Sequence, residues 1–297
     1  MAWRTSGANS YALAHERSGS EYSLCSSRNR VEHYQFPPGP HSLKEQGSYA
    51  FFGAARCRAV CTVIFLSMQS SSPRPPQPKV VLFDVNETLL DMSKLKLAVT
   101  KAFGNRFAFK QWFGLLLQYS LVDTVTGSYH PFNLIAEAAL DMAAEKLEEK
   151  PLKPARKREI MGLLTELPAH KDIPKGLEIL LDSGIRLVAF TNSPRAILDE
   201  QLRYAGIIHY FEQGLSIDAG HRYKPHFDTY RTAVQTVGVL PVEAARVAAH
   251  GWDVAGALQA GLAAGFIARP GQELYPLAPP PTYSGKTLVE VARQIVG

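Results

Sequence analysis

Residues 80–91 read VVLFDVNETLLD. Val80 to Phe83 form a short, fully apolar run that opens on two β-branched residues, the character of a strand buried on both faces in the interior of a parallel sheet. The run stops without transition at Asp84, and a polar turn follows before the apolar pattern resumes at Leu89. A strand that ends on a carboxylate either caps the next helix or delivers a charged group to a site. The rest of the chain decides between these.

About 75 residues after this strand carry no strand pattern. They read as helices: KLKLAVTKAFG, FKQWFGLLLQYSLVDTV, PFNLIAEAALDMAAEKLEEK and PARKREIMGLLTELPAH, separated by Gly-, Pro- and His-containing breaks. Beyond Lys171 strands and helices alternate. IRLVAFT, YFEQGLSI, ARVAAH and FIAR read as strands, and PKGLEILLDSG, SPRAILDEQLRYAG, PHFDTYRTAVQTVGV, DVAGALQAGLAAG and GKTLVEVARQIVG as helices. That alternation predicts an α/β fold, a Rossmann-like doubly wound parallel sheet, with the four-helix block inserted after its first strand as a helical cap. The expected layout is an α/β core at 79–93 and 171–297, a cap at 94–170, and residues 1–78 as a disordered or spurious N-terminal extension.

Composition supports that layout. All three cysteines, Cys25, Cys57 and Cys61, precede Met68, so no disulfide framework is available to the rest of the chain, and a reducing cytoplasm is the expected location. Three of the five net positive charges also precede Met68, leaving too small an excess for a nucleic-acid surface. The one apolar run there, Ala59 to Leu66, is far short of the roughly 20 residues a membrane span needs. Met68, followed by QSSSPRPPQPK, reads as a natural start with a flexible lead. No membrane or nucleic-acid partner is expected.

Ligands of open α/β sheets bind beyond the carboxyl ends of the strands. Asp84, Thr191 with Asn192, Lys224, and His250 to Asp253 all fall at that edge. Any one of them alone is more often a helix cap or a solvated loop residue. A carboxylate, a hydroxyl and amide, a lysine and a second carboxylate arranged in that order are a catalytic constellation.

With those residues in view, FDVNETL, FTNS, RYKPHFDTY and AAHGWDVAGA resemble the four motifs of the haloacid dehalogenase superfamily, most closely its type II (S)-2-haloacid dehalogenase branch. The resemblance spans roughly residues 79–297. It implies a hydrolase that cleaves the carbon–halogen bond of short 2-haloalkanoic acids through an aspartyl ester, giving 2-hydroxy acids. Asp84 would be the nucleophile, Thr88 would support its loop, and Thr191 and Asn192 would hold the substrate carboxylate or the oxyanion. Lys224 would pair with the nucleophile and Tyr230 would support the lysine region. Asp253 would orient water or fix Lys224. Leu117, Tyr119 and Phe132 match the apolar substrate-facing pattern of the cap, and Trp252 an aromatic lid. The resemblance also admits a homodimer.

Residue chemistry points the same way. A halide leaves without a proton, whereas a phosphate ester's alkoxide needs one, and phosphatases of the superfamily place an aspartic acid two residues after the nucleophile. Here that residue is Asn86. The fourth motif supplies one acid, Asp253, so no metal is expected as a requirement. A magnesium-dependent phosphatase acting on a small phosphate ester, with Mg²⁺ as cofactor, is the alternative. Three departures from the dehalogenase pattern stand out. Phe113 replaces an arginine that helps to extract halide. Glu87 stands where glycine is usual, either straining the turn or adding a charge. His250 replaces an asparagine and is a candidate base or hydrogen-bonding substitute.

Overall fold

The computed structural model describes residues 76–297. The expectations for residues 1–75, including the three cysteines and the start at Met68, lie outside the described residues. Six parallel strands form one sheet: β1 Val80–Phe83, β2 Arg186–Thr191, β3 Gln213–Ser216, β4 Ala244–Ala248, β5 Ala263–Ile267 and β6 Tyr283–Gly285. Their order across the sheet is β3-β2-β1-β4-β5-β6. The chain therefore runs outward from β1 on one side, then returns to place β4 beside β1 on the other. That reversal is the switch point at which α/β sheets open a crevice for ligand, and β1 ends there. All four β1 residues are fully buried, as the unbroken apolar run requires.

Four helices lie between β1 and β2: α1 Ser93–Phe103, α2 Ala108–Thr126, α3 Phe132–Lys146 and α4 Pro154–Gly162. Gly104 and Gly127 end α1 and α2 in the left-handed region, which glycine enters without a Cβ penalty. The block leaves and rejoins the sheet region at one place. Asp91 N–H donates to the Pro168 carbonyl at 2.8 Å, and His170 N–H to the Leu89 carbonyl at 2.9 Å. The remaining helices are α5 Ile173–Asp182, α6 Arg195–Tyr204, α7 Phe227–Thr236, α8 Gly251–Gln259 and α9 Leu288–Val296. No described helix is long and apolar enough to cross a membrane.

Three local expectations are corrected. The helix read through residue 170 stops at Gly162, passes through a short 3-10 turn and becomes extended, because Pro168 lacks an N–H and disfavours helical geometry at the residue before it. The helix read as DVAGALQAGLAAG ends at Gln259. Its last three residues open β5, where a Cβ on Gly265 would stand 3.0 Å from Val291 of α9 and 3.2 Å from Val247 of β4. β6 has no counterpart in the sequence reading, since three residues after a proline run carry no alternation.

α8 lies close against the loop that carries Lys224. A Cβ on Gly256 would stand 2.5 Å from Pro225 Cβ and 2.8 Å from both the Pro225 carbonyl oxygen and Tyr230 Oη. None of these atoms is the loose end of a flexible chain. Gly256→Ala is therefore expected to lower unfolding stability by about 1–3 kcal/mol through overpacking, measurable by urea denaturation. A wild-type midpoint would show that α8 can move away without cost.

Candidate active site

Asp84 continues the β1 ladder for one residue, its N–H donating to the Val247 carbonyl at 3.0 Å. Its side chain therefore leaves a rigid strand end in a fixed direction. The two carboxylate oxygens have separate partners. Oδ1 accepts from Lys224 Nζ at 2.8 Å; Oδ2 accepts from the Thr88 hydroxyl at 2.6 Å and faces His250 Nδ1 at 3.0 Å. Thr88 is itself fixed, because its hydroxyl accepts from the Ala249 N–H at 2.9 Å. Burial alone would raise the Asp84 pKa. The Lys224 ammonium, the His250 hydrogen bond and Arg246 outweigh it and hold the group well below the usual carboxylate range.

Asp253, at the start of α8, has its acceptor capacity filled. Oδ1 takes Tyr230 Oη at 2.7 Å and Arg246 Nε at 3.0 Å; Oδ2 takes Arg246 Nη2 at 2.6 Å and Lys224 Nζ at 2.8 Å. A carboxylate offers about four lone-pair sites, so Asp253 is saturated by donors. Of the two roles named for it, fixing Lys224 matches these contacts. Arg246 was missed in the sequence. It sits in the middle of β4, fully buried, with Nη2 also 3.5 Å from Asp84 Oδ1. The available signal was a charged residue inside the apolar run ARVAA. A guanidinium in a central strand requires an anion beneath it.

Glu87 combines both consequences anticipated for it. Its φ of 62° puts a non-glycine residue in the left-handed region, and its carboxylate is buried. Oε2 faces His250 Nε2 at 2.9 Å and accepts from Gln272 Nε2 at 2.9 Å, while Oε1 pairs with Lys96 Nζ at 2.7 Å. His250 thus has a carboxylate on each ring nitrogen, and an imidazole can satisfy two acceptors only as the cation. Burial favours its neutral form, but the hydrogen bonds to Asp84 and Glu87 prevail and raise its pKa to about 9. The ring packs against Phe113, with centroids 6.1 Å apart and planes at 27°, and against Trp252, at 5.1 Å and 24°. Phe113 therefore packs on an imidazolium. Lys96 and Gln272 carry no local sequence signal, being 9 and 185 residues from the carboxylate they hold.

A small cavity of about 20 Å³ opens at Asp84, lined by Asn86, Phe113, Leu117, Phe132, Thr191, Asn192, Lys224, His250 and Trp252 as well. Asn192 Oδ1 accepts the Lys224 backbone N–H at 3.2 Å, which leaves its NH₂ as the free end. Tyr119 is not among the lining residues. It is exposed on α2, because residues two apart on a helix face different ways and Leu117 already points inward. Tyr230 also lies off the cavity, fully buried behind Asp253. A larger cavity of about 480 Å³ lies between β3 and α7, but its Arg222 and Asp228 pair with each other and it holds no nucleophile–base pair. Asp84, Lys224 and His250 line the smaller one.

A family model described as haloacid dehalogenase-like hydrolase matches residues 78–261. An (S)-2-haloacid dehalogenase of Xanthobacter autotrophicus is 27% identical over 197 residues, 66% of this chain and 77% of that protein. (S)-2-haloacid dehalogenase 4A of Burkholderia cepacia is 27% identical over 181 residues, 60% of this chain and 78% of that one. The solved structure of the Xanthobacter L-2-haloacid dehalogenase with chloropropionic acid covalently bound shares the fold at a TM-score of 0.68. It is 22% identical and covers 74% of this chain and 99% of its own. With a match across most of the sheet and the inserted helices, the chain belongs to the haloacid dehalogenase-like hydrolases.

Proposed function

We propose that the protein hydrolyses short 2-haloalkanoic acids to 2-hydroxy acids, with Asp84 as nucleophile. The observation that carries this reading is a carboxylate held ionised by Lys224 at a cavity wall, with Asn86 rather than an acid two residues on. One Asp84 oxygen attacks C2, the carbon–halogen bond breaks, and the halide leaves with the bonding pair and needs no proton. Thr191 and the Asn192 NH₂ at the end of β2 suit the substrate carboxylate. The inserted helices act as the cap, Leu117 and Phe132 presenting apolar surface to the carbon chain.

Water then attacks Cγ of the ester. Asp253 is saturated, so the base is His250, oriented by Glu87. Alkylation turns the Asp84 carboxylate into a neutral ester and removes one of the two charges that keep the imidazole protonated. The ring gives up its Nδ1 proton to solvent and accepts one from the attacking water. It passes that proton to the departing hydroxy-acid oxygen as the acyl–oxygen bond breaks. The regenerated carboxyl hands its proton back to His250 Nδ1 and restores the imidazolium; with the one proton given to solvent, the sum is haloacid plus water to hydroxy acid, halide and a proton.

The donor set does not suit a divalent cation. Lys224 Nζ lies 2.8 Å from both Asp84 and Asp253, occupying the position between the carboxylates, and Arg246 holds Asp253 from the other side. Mg²⁺ needs near-octahedral oxygen ligands, which this arrangement withholds. The test is halide release from each enantiomer of 2-chloropropionate, with EDTA or Mg²⁺, beside p-nitrophenyl phosphate. Release from one enantiomer, indifferent to EDTA, is the expected result. Mg²⁺-dependent phosphate release without halide would overturn the reading.

A further inference from the structure

Gln201, on α6, is fully buried and uses one atom for two contacts. Its Nε2 is 2.8 Å from the Leu164 carbonyl oxygen and 3.0 Å from Asn86 Oδ1. A carbonyl can only accept, so the atom facing Leu164 must be the amide nitrogen. That fixes the second amide in turn. The end of Asn86 that meets Gln201 must be its oxygen, and Nδ2 is turned the other way. Nδ2 makes no hydrogen bond among the described residues, while Asn86 lines the Asp84 cavity. Gln201 Oε1 is left buried without a partner, an unmade bond that a leucine at this position would not create.

A second small cavity of about 10 Å³ adjoins the first, lined largely by apolar groups including Trp112 and Leu116. The two share Asn86, Phe113 and Phe132 as their common wall. On that wall Asn86 is the polar member, and Phe113 offers the departing anion no charge. The Leu164–Gln201–Asn86 relay thus aims a neutral donor at an aromatic recess beside the nucleophile.

We propose that Asn86 is the hydrogen-bond donor to the leaving halide, and that Gln201 is the positioning residue that holds its NH₂ toward the cavity. This rests on the dehalogenase reading. The halide gains its charge as the carbon–halogen bond stretches, so a preset N–H stabilises the transition state more than the ground state. Poorer leaving groups depend on it more.

The experiment compares the full chain with Asn86→Ala, Asn86→Ser and Gln201→Met on chloroacetate and bromoacetate, together with single-turnover decay of the ester and calorimetric titration of bromide alone. Removing a hydrogen bond to a charged group predicts roughly a 10- to 100-fold loss of kcat/KM on chloroacetate for Asn86→Ala and Gln201→Met. The loss on bromoacetate is smaller, ester decay is unchanged, and bromide binding weakens about 10-fold by the same reasoning. Asn86→Ser, which keeps a donor, recovers part of each effect. Equal losses on both substrates, or slowed ester decay, would make the relay structural and overturn the proposal. If the wild type releases no halide, the dehalogenase reading fails by itself. The bromide arm still decides Asn86, and unchanged affinity in the variants, or none in the wild type, counts against it.

Discussion

Asp84→Asn is expected to abolish halide release, by at least about 10⁴-fold, as loss of a covalent nucleophile does. The substitution is close to isosteric, so one amide oxygen can still accept from Lys224, while the other position becomes an NH₂ facing Thr88 and His250 and the attacking charge disappears. Fold loss is separable by thermal unfolding, because Asp253 still holds Lys224, Arg246 and Tyr230. Isotopic labelling distinguishes covalent attack from direct displacement by activated water. With enzyme in excess over substrate in H₂¹⁸O, the hydroxy acid of the first turnover carries an Asp84 oxygen, and the label enters the Asp84 carboxylate. Label in the first-turnover product, with none in the protein, would refute the ester intermediate whatever the mutant does.

The sheet and the placement of Asp84 were legible because they rest on local patterns. A four-residue apolar strand that ends on a carboxylate is visible without knowing its neighbours, and the strand–helix alternation after residue 171 implies the parallel sheet. The motif residues that converge were legible for the same reason: most close a strand or open a helix at one edge, and Lys224 lies in the loop that leads from that edge to α7. What escaped was what depends on partners remote in sequence. Arg246 looks misplaced in a strand until Asp253, seven residues on, is folded back over it. Glu87 was visible as a departure, but its meaning depends on His250, 163 residues away, and on Gln272. Gln201 reads as an ordinary polar helix residue, and only the burial of α6 against Asn86 and Leu164 gives it a task. Tyr119 failed for a geometric reason, since a motif match does not respect helical phase.

His250→Ala is expected to separate the two half-reactions, leaving the first largely intact and slowing ester hydrolysis by roughly 10²–10⁴-fold, the usual contribution of a general base. The variant should release about one equivalent of halide per site in a burst and then stall, with the alkylated Asp84 visible as a mass increase in the intact protein. The pH dependence carries the sign. Before attack, carboxylates on both ring nitrogens keep His250 protonated up to about 9. After attack only Glu87 remains, so the pKa falls and hydrolysis rises with pH through that lower value. Wild-type enzyme in mild acid should therefore show a halide burst that fades as the pH is raised. Glu87→Gln removes the remaining carboxylate. It should move the rising limb further toward acid and lower the plateau about 10-fold, because the imidazolium formed as water attacks has lost its counter-charge. Ester decay in His250→Ala at the wild-type rate would return the base to another group, and a limb unmoved in Glu87→Gln would remove Glu87 from the proton transfer. Phe113 and Trp252 support the pair: packed against the ring, they restrict the motion of the imidazole that bridges the two carboxylates.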